Sequence, residues 1–280
     1  MENYRNKFKF LSEYNPSEGG QLIEGINIDK VNRTVEYDDS HEKGIVTGSY
    51  NNTPNPVYSK TADGYPVISI FQRTEYEKGY GDQDGNPLLY AIKGLYGWKF
   101  KNGDKDIYRF FRRFVNIAHG IQSSYDAIIK IPSQNELNNN FLYMITRIID
   151  CGIIFKNTFA KLYPYQVYEL INYKAIQKDH PNDWQIVGKQ LEYAIEQQED
   201  KGDKWFTFKN IPVNIRKYIG QIIQQKETMI DLAPSINNKN ILILDDTIAE
   251  GTTISRMCQC ILDTYVPQSI TIITLFSAKM

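Results

Sequence analysis

Two adjacent carboxylates, Asp245 and Asp246, are the residues of this sequence best suited to do chemistry. They follow the apolar run 241–244, which predicts a short buried strand. Open α/β sheets bind their ligands beyond the carboxyl ends of the strands. Carboxylates there can accept hydrogen bonds from a sugar diol, or lie near a Mg²⁺ ion that bridges the diol and a diphosphate. We expect both to be exposed, so that replacing them with Asn would change stability little.

The loop that follows the carboxylates has the residue types of a phosphate site. Gly251 allows the backbone to approach a ligand closely. The hydroxyl groups of Thr252 and Thr253 can donate hydrogen bonds. A helix is predicted over 253–265, and the N–H groups at the start of a helix favour a phosphate. The carboxylates and the loop together suit a ribose that carries a phosphate on one side.

Residues 241–253 resemble the signature of the type I phosphoribosyltransferases: a hydrophobic strand, two acidic residues, four further residues, and then Gly and Thr. In that family the acidic pair binds the ribose hydroxyls of phosphoribosyl pyrophosphate, and the loop binds its 5′-phosphate. The resemblance implies that Asp245 and Asp246 are catalytic residues that hold the ribose and lie at a Mg²⁺ ion. It also implies a substrate-binding phosphate loop made of Ala249, Glu250, Gly251, Thr252 and Thr253.

Two further segments are similar to the same family at the level of the fold. A predicted strand at 126–131 precedes a loop in the position of the family's pyrophosphate loop, and the resemblance implies that this loop binds substrate through Ser133, Gln134 and Asn135. Residues 88–100 and the helix predicted after them look like the layout of the ComF-type branch of the family. In several family members a mobile loop supplies a cation, for which the open candidates are Lys156, Lys161, Lys204 and Lys209.

Short apolar strands alternate with helices over most of the chain. Apolar runs predict buried strands at 65–71, 126–131, 240–244 and 269–275. This alternation predicts an α/β fold whose parallel sheet is covered on both faces. Helices are predicted mainly from apolar residues at three- and four-residue spacing, near residues 106–121, 140–149, 183–198, 213–227 and 253–265.

The chain is predicted to divide at about residue 85. Residues 1–85 contain period-two patterning at 25–37 and a polar, loop-like stretch at 47–63, and they carry no recognisable motif. They are predicted to form a β-rich N-terminal extension of unknown role. Residues 86–280 carry the resemblance, which implies a phosphoribosyltransferase-like domain with a parallel-sheet, Rossmann-like core.

Composition excludes several classes of function. The 32 basic and 33 acidic residues nearly cancel, which disfavours direct binding of nucleic acid. No apolar run approaches the roughly 18–20 residues of a membrane span. Three cysteines are too few for a disulfide framework, so a reducing cytoplasm is expected. Three histidines, far apart in the sequence, disfavour histidine-driven catalysis and histidine metal sites.

The sequence predicts a protein that binds phosphoribosyl pyrophosphate or a nucleotide with Mg²⁺. It would transfer phosphoribose to an unidentified nitrogenous acceptor, as an enzyme of nucleotide metabolism. Two alternatives stay open: a module that senses this ligand without turnover, and an effector of a nucleic-acid-related or defence system. The carboxylate of Glu250 within the phosphate loop favours the sensing module. Assembly into a homo-oligomer is also left open.

Overall fold

A computed structural model describes most of the 280-residue chain. The predicted site residues Gln134, Ala249 and Glu250 lie outside the described residues, as does Lys209. The described ranges are 25–38, 45–46, 48–50, 53–73, 86–121, 124–133, 135–208, 211–227, 231–248 and 251–278.

From β7 onward, most strands of the described chain are followed by a helix, as the sequence predicts. The strands are β1 (Gly25–Asp29), β2 (Thr34–Asp38), β3 (Ile45–Val46), β4 (Gly48–Tyr50), β5 (Thr53–Asn55), β6 (Val57–Lys60), β7 (Pro66–Arg73), β8 (Lys99–Phe100), β9 (Tyr125–Lys130), β10 (Cys151–Phe155), β11 (Phe159–Lys161), β12 (Ile223–Gln225), β13 (Asn240–Ile248) and β14 (Ser269–Ser277). The helices are α1 (Asn86–Lys93), α2 (Asp104–Ala118), α3 (Glu136–Ile145), α4 (Pro164–Val167), α5 (Tyr173–Asp179), α6 (Trp184–Asp200), α7 (Ala233–Ile236) and α8 (Thr252–Leu262).

A seven-stranded sheet forms the centre of the described structure. Five of its strands are parallel, in the order β10-β9-β13-β14-β7. The short strands β3 and β6 pair antiparallel with the outer side of β7. The carboxyl ends of the five parallel strands therefore meet at one edge of the sheet, where the predicted site residues follow β9 and β13.

Hydrophobic layers cover both faces of this sheet, because successive side chains of a strand point to opposite faces. Leu242 and Leu244 of β13 belong to the layer that contains α1, α2 and α3. Ile241 and Ile243 belong to the opposite layer, with α5, α6 and α8. The burial of both faces explains the apolar runs in the central strands β9, β13 and β14. The prediction of an α/β fold with a covered parallel sheet is confirmed.

Tertiary pairing overrides the helix predicted over 213–227. The segment instead forms a 3-10 helix (Val213–Tyr218) and then strand β12. Strand β12 pairs antiparallel with β11, and Ile219 bridges to Ile171. These pairings need an extended backbone, in which the N–H and C=O groups form hydrogen bonds with a neighbouring strand and not within their own segment. The apolar residues that suggest a helical period are buried as parts of an extended segment.

The polar stretch at 47–63, expected to be a loop, contains strands β4, β5 and β6. Of these, β6 joins the central sheet through its pairing with β7. The hairpin of β1 and β2 agrees with the period-two patterning, and β8 adds to it in parallel. Among the described residues, no helix is both long enough and apolar enough to cross a membrane.

An N-terminal extension is not confirmed, because strand β7 lies inside the central sheet between β14 and β6. Phe71 of β7 is fully buried, with its ring centroid 5.1 Å from that of Phe110 and 5.7 Å from that of Phe276. The hydroxyl oxygens of Ser69 and Thr274 lie 3.0 Å apart in the core. The division of the chain at residue 85 stays a prediction.

We expect Phe71→Ala to lower the free energy of unfolding of the whole molecule by about 3–5 kcal/mol, because the removed ring leaves a cavity in a shared core. All three tryptophans (Trp98, Trp184 and Trp205) follow residue 85, so their fluorescence during denaturation reports on that part alone. Tyr58→Ala, at an exposed side chain of β6, is the control, with an expected cost below about 1 kcal/mol. An unchanged tryptophan transition in the Phe71 variant would instead support a separate N-terminal unit.

Candidate active site

A cleft of about 320 Å³ opens at the carboxyl edge of the sheet, where β13 leads into α8. It brings together four of the residues predicted from the sequence: Asp245, Gly251, Thr252 and Thr253. The opposite wall comes from the segment around the 3-10 helix. The lining residues are Thr207, Phe208, Arg216, Asp245, Thr247, Ile248, Gly251, Thr252, Thr253 and Ile254.

The start of α8 has the geometry of an anion site. Gly251 precedes the helix in the left-handed conformation, with φ 74°, which residues other than Gly rarely adopt. Hydrogen bonding within the helix begins at Ser255, whose N–H donates to the carbonyl of Gly251 at 2.8 Å. The three preceding amides, of residues 252–254, therefore have no acceptor within the helix. They lie at the positive end of the helix dipole, where phosphate groups bind in many proteins.

Arg216, from the 3-10 helix, lines the same cleft. Its Nε donates to the carbonyl oxygen of Ile211 at 2.7 Å, which holds the side chain against the 3-10 helix. The sequence analysis missed this residue, because the predicted helix over 213–227 assigned it no place near the phosphate loop. No local pattern in the sequence singled it out, since it is followed by another basic residue, Lys217.

The acid pair is not exposed at the end of the strand, as was expected, but lies within β13. Asp246 is 6% exposed, and its Oδ2 lies 2.9 Å from Lys93 Nζ. Its Oδ1 accepts a hydrogen bond from the Thr247 hydroxyl. Asp245 lines the cleft, and its Oδ1 accepts from Asn138 Nδ2 at 3.0 Å and from the Asp246 amide at 2.9 Å. The two neighbours therefore have different environments, which sequence alone did not separate.

Burial and the charge of Asp246 raise the pKa of Asp245 from 3.8 to about 6. Lys161 and Lys93 oppose this shift, as does the hydrogen bond from Asn138. Burial lowers the pKa of Lys161, and both carboxylates oppose that change. Asp245 is thus ionised only above about pH 6, and its charge then faces the nearby ammonium groups.

Of the three candidate lysines that the structure describes, Lys161 is the one whose charge interacts with both carboxylates of the acid pair. Strand β11 ends at Lys161, and β11 pairs with β12. Lys204 instead lies over the ring of Trp205, at 5.2 Å from its centroid. Lys156 interacts electrostatically with Lys130, a buried lysine that the sequence analysis did not single out.

The loop after β9 holds its predicted residues in local hydrogen bonds. The Ser133 hydroxyl accepts from the Asn135 amide at 3.1 Å, and Asn135 Oδ1 accepts from the Leu137 amide at 2.8 Å, which caps α3. Neither side chain is among those lining the cleft. The residues of this region that reach towards the acid pair are Asn138 and Lys130, and Lys130 Nζ donates to Asn139 Oδ1 at 2.7 Å. Substrate binding by the loop stays a prediction.

The acid pair does not fit a protein-held Mg²⁺ ion, which needs an octahedron of oxygen ligands. Lys93 and the Thr247 hydroxyl occupy the two oxygens of Asp246, and two N–H donors occupy Oδ1 of Asp245. In the described part of the chain, no three His, Cys, Asp or Glu side chains come together as metal ligands. Mg²⁺ binding stays a prediction from the resemblance.

Comparison with known protein families finds a match for the part of the chain that contains most of the cleft residues. Residues 210–280 match the family model of the phosphoribosyl transferase domain. The match covers about a quarter of the sequence and includes Arg216, the acid pair, the loop before α8 and strand β14. It supports the resemblance to the type I phosphoribosyltransferases, whereas the ComF-type branch is not confirmed. No curated protein and no solved structure matches the chain.

We expect the two carboxylates to respond to Asn substitution with opposite signs. The pKa of Asp245 is raised on folding, so its contribution to stability is complete below pH 3.8 and is lost as the pH rises through about 6. Asp245→Asn removes that loss and keeps the acceptor oxygen, which should stabilise the protein above pH 6 by about 3 kcal/mol. Asp246→Asn should destabilise it by about 1.5–3 kcal/mol, because it leaves Lys93 without its ion pair.

Denaturant unfolding of both variants above pH 6 and below pH 3.8 measures these effects. The gain for Asp245→Asn should disappear at the lower pH, where the native carboxyl is neutral. Adding Lys93→Met to Asp246→Asn should restore part of the lost stability, because it removes the unpaired ammonium group. Equal losses for the two Asn variants would show that Asp245 carries no burial penalty.

Proposed function

We propose that the protein binds phosphoribosyl pyrophosphate in the cleft and transfers its phosphoribosyl group to a nitrogenous acceptor. The observation that carries the proposal is the position of Asp245 and the start of α8 on one cleft, within the residues that match the phosphoribosyl transferase domain. A carboxylate and an anion site on one cleft suit the hydroxyls and the 5′-phosphate of one ribose.

The 5′-phosphate would bind between the start of α8 and Arg216. The amides of residues 252–254 and the hydroxyls of Thr252 and Thr253 would donate to its oxygens. The guanidinium of Arg216 would add a charge-assisted contact from the other wall. Gly251 keeps this approach open, because its left-handed backbone turns the chain into the helix without a side chain.

The two carboxylates would serve different roles in this reaction. Asp245 would accept hydrogen bonds from the ribose hydroxyls, and its charge would stabilise the cation-like ring of the transition state. Asp246 would act as a positioning residue, because its ion pair with Lys93 fixes the end of β13 and its amide donates to Asp245. The ionisation of Asp245 above about pH 6 sets the range in which the ring is stabilised.

The reaction itself is a displacement at C1 of the ribose. The bond from C1 to the diphosphate oxygen breaks, and the lone pair of the acceptor nitrogen forms the new bond to C1. Diphosphate leaves with the electron pair of the broken bond, and the proton of the acceptor nitrogen passes to solvent. Fixing donor and acceptor in one geometry can contribute roughly 7–11 kcal/mol to such a step.

A module that binds the same donor without turnover is the second candidate function. The observation that favours it is the ion pair of Asp246, which withdraws one of the two carboxylates from the ribose. The two candidates differ in the fate of the donor: the enzyme releases pyrophosphate when an acceptor base is present, whereas the module leaves the donor intact.

We expect ribose 5-phosphate to bind to the purified protein, as measured by calorimetry, because the phosphate loop and Arg216 do not depend on the diphosphate. Arg216→Gln and Thr253→Val should each weaken this binding about tenfold, the scale of one charged hydrogen bond. Arg147→Gln, an exposed arginine after α3, is the matched control and should bind normally. Phosphoribosyl pyrophosphate with a panel of nitrogenous bases then tests turnover through pyrophosphate release. Absence of both binding and release would refute the proposal.

A further inference from the structure

Five lysines from different segments of the chain are linked to one another or to the acid pair by electrostatic interactions, and we call them the lysine cluster. Three of them interact electrostatically with Asp245 or Asp246, namely Lys93, Lys130 and Lys161. The other two interact with Lys130 and flank the β11–β12 ribbon, namely Lys156 and Lys226. The amide of Lys226 donates to the carbonyl of Thr158 at 2.9 Å, which holds it beside the turn that follows Lys156.

Three lysines of the cluster, Lys93, Lys130 and Lys161, are largely buried, and we call them the inner lysines. Lys130 is 6% exposed, and the side chain of Lys93 is 15% exposed. Protein atoms also surround most of Lys161. A buried ammonium group is costly unless an anion or several acceptors compensate it. Lys93 has such an anion in Asp246, whereas the hydrogen-bond acceptor of Lys130 is the neutral amide of Asn139.

The charges of this region do not balance. Among the described residues, the carboxylates that interact with the cluster are those of Glu136, Asp245 and Asp246, three against five ammonium groups. These described groups together carry a net positive charge, although the whole chain has a net charge of −1. If these lysines served only in structural ion pairs, the numbers of lysines and carboxylates would match. The additional positive charge attracts anions and repels cations, so it indicates a site for an anionic ligand.

The position of the cluster matches the diphosphate of the proposed donor. Lys130 of β9 pairs with Leu244 of the adjacent strand β13, and Leu244 immediately precedes Asp245. Asp245 itself faces the cleft in which the ribose and its 5′-phosphate would bind. A diphosphate attached to C1 of that ribose would extend away from the 5′-phosphate loop. Ammonium groups, with three donors each, suit its many oxygens.

We propose that the lysine cluster binds the diphosphate of the donor directly, so that the protein binds this donor without a divalent cation. The inference rests on the proposed function, and it replaces the Mg²⁺ predicted from the family resemblance with side chains of this protein. During transfer the ammonium groups would stabilise the negative charge that develops on the leaving oxygen. The acid pair would then keep the inner lysines charged and in place while the donor is absent.

Calorimetric titration with inorganic pyrophosphate in EDTA tests the inference, with a parallel titration in Mg²⁺. We expect binding in EDTA that is not tightened by Mg²⁺ and that weakens as the salt concentration rises. Lys130→Met should weaken binding about tenfold or more. The double variant Lys156→Gln, Lys226→Gln changes two exposed residues, so it should keep the fold and lose affinity less strongly. Lys189→Met, at an exposed position of α6, is the matched control and should bind pyrophosphate normally.

The unfolding temperature of each variant separates lost binding from lost structure. Pyrophosphate binding only in the presence of Mg²⁺, or unchanged affinity in both lysine variants, would overturn the inference. Binding of ribose 5-phosphate distinguishes failure of the inference from failure of the proposed function. Ribose 5-phosphate has no diphosphate, so its binding does not involve the lysine cluster. If ribose 5-phosphate binds and pyrophosphate requires Mg²⁺, the inference fails while the proposed function stands. If ribose 5-phosphate and phosphoribosyl pyrophosphate bind under neither condition, the proposed function fails.

Discussion

Two neighbouring carboxylates inside the end of a buried strand impose the constraint on which the site depends. Like charges on adjacent residues repel each other, and both lose solvation in the protein interior. The fold satisfies one of them with an ion pair, from Asp246 to Lys93 at the end of α1. It leaves the other, Asp245, with N–H donors and a raised pKa. One carboxylate is thereby fixed in structure, and the other faces the cleft.

This division explains why residues remote in sequence converge at one edge of the sheet. Helix α1 supplies Lys93, α3 supplies Asn138, and β11 supplies Lys161, each from a different connection of the fold. Parallel strands place all their carboxyl ends on the same side, so the connections that follow them share one space. The positive charges collected there among the described residues are the basis of the anion site inferred above.

The segment between α6 and β13 supplies part of the cleft lining. Its 3-10 helix carries Arg216 to face the start of α8, and strand β12 pairs with β11 next to Lys161. An uninterrupted α-helix over 213–227 would have satisfied its own backbone hydrogen bonds and left β11 without a partner. The antiparallel pairing therefore links the segment of Arg216 to the strand that ends at Lys161.

The sequence by itself determined the apolar strands β7, β9, β13 and β14, the helices α2, α6 and α8, and the position of the acid pair and of Gly251 before a helix. These features are local, because strand burial and helix starts are encoded in runs of a few residues. Only the tertiary structure decided that β7 belongs to the central sheet, that Asp246 is buried against Lys93, and that Arg216, Asn138 and Lys130 face the site. Those contacts join residues up to 205 positions apart, as between Ser69 and Thr274, and no local pattern encodes which distant side chain neutralises a buried charge.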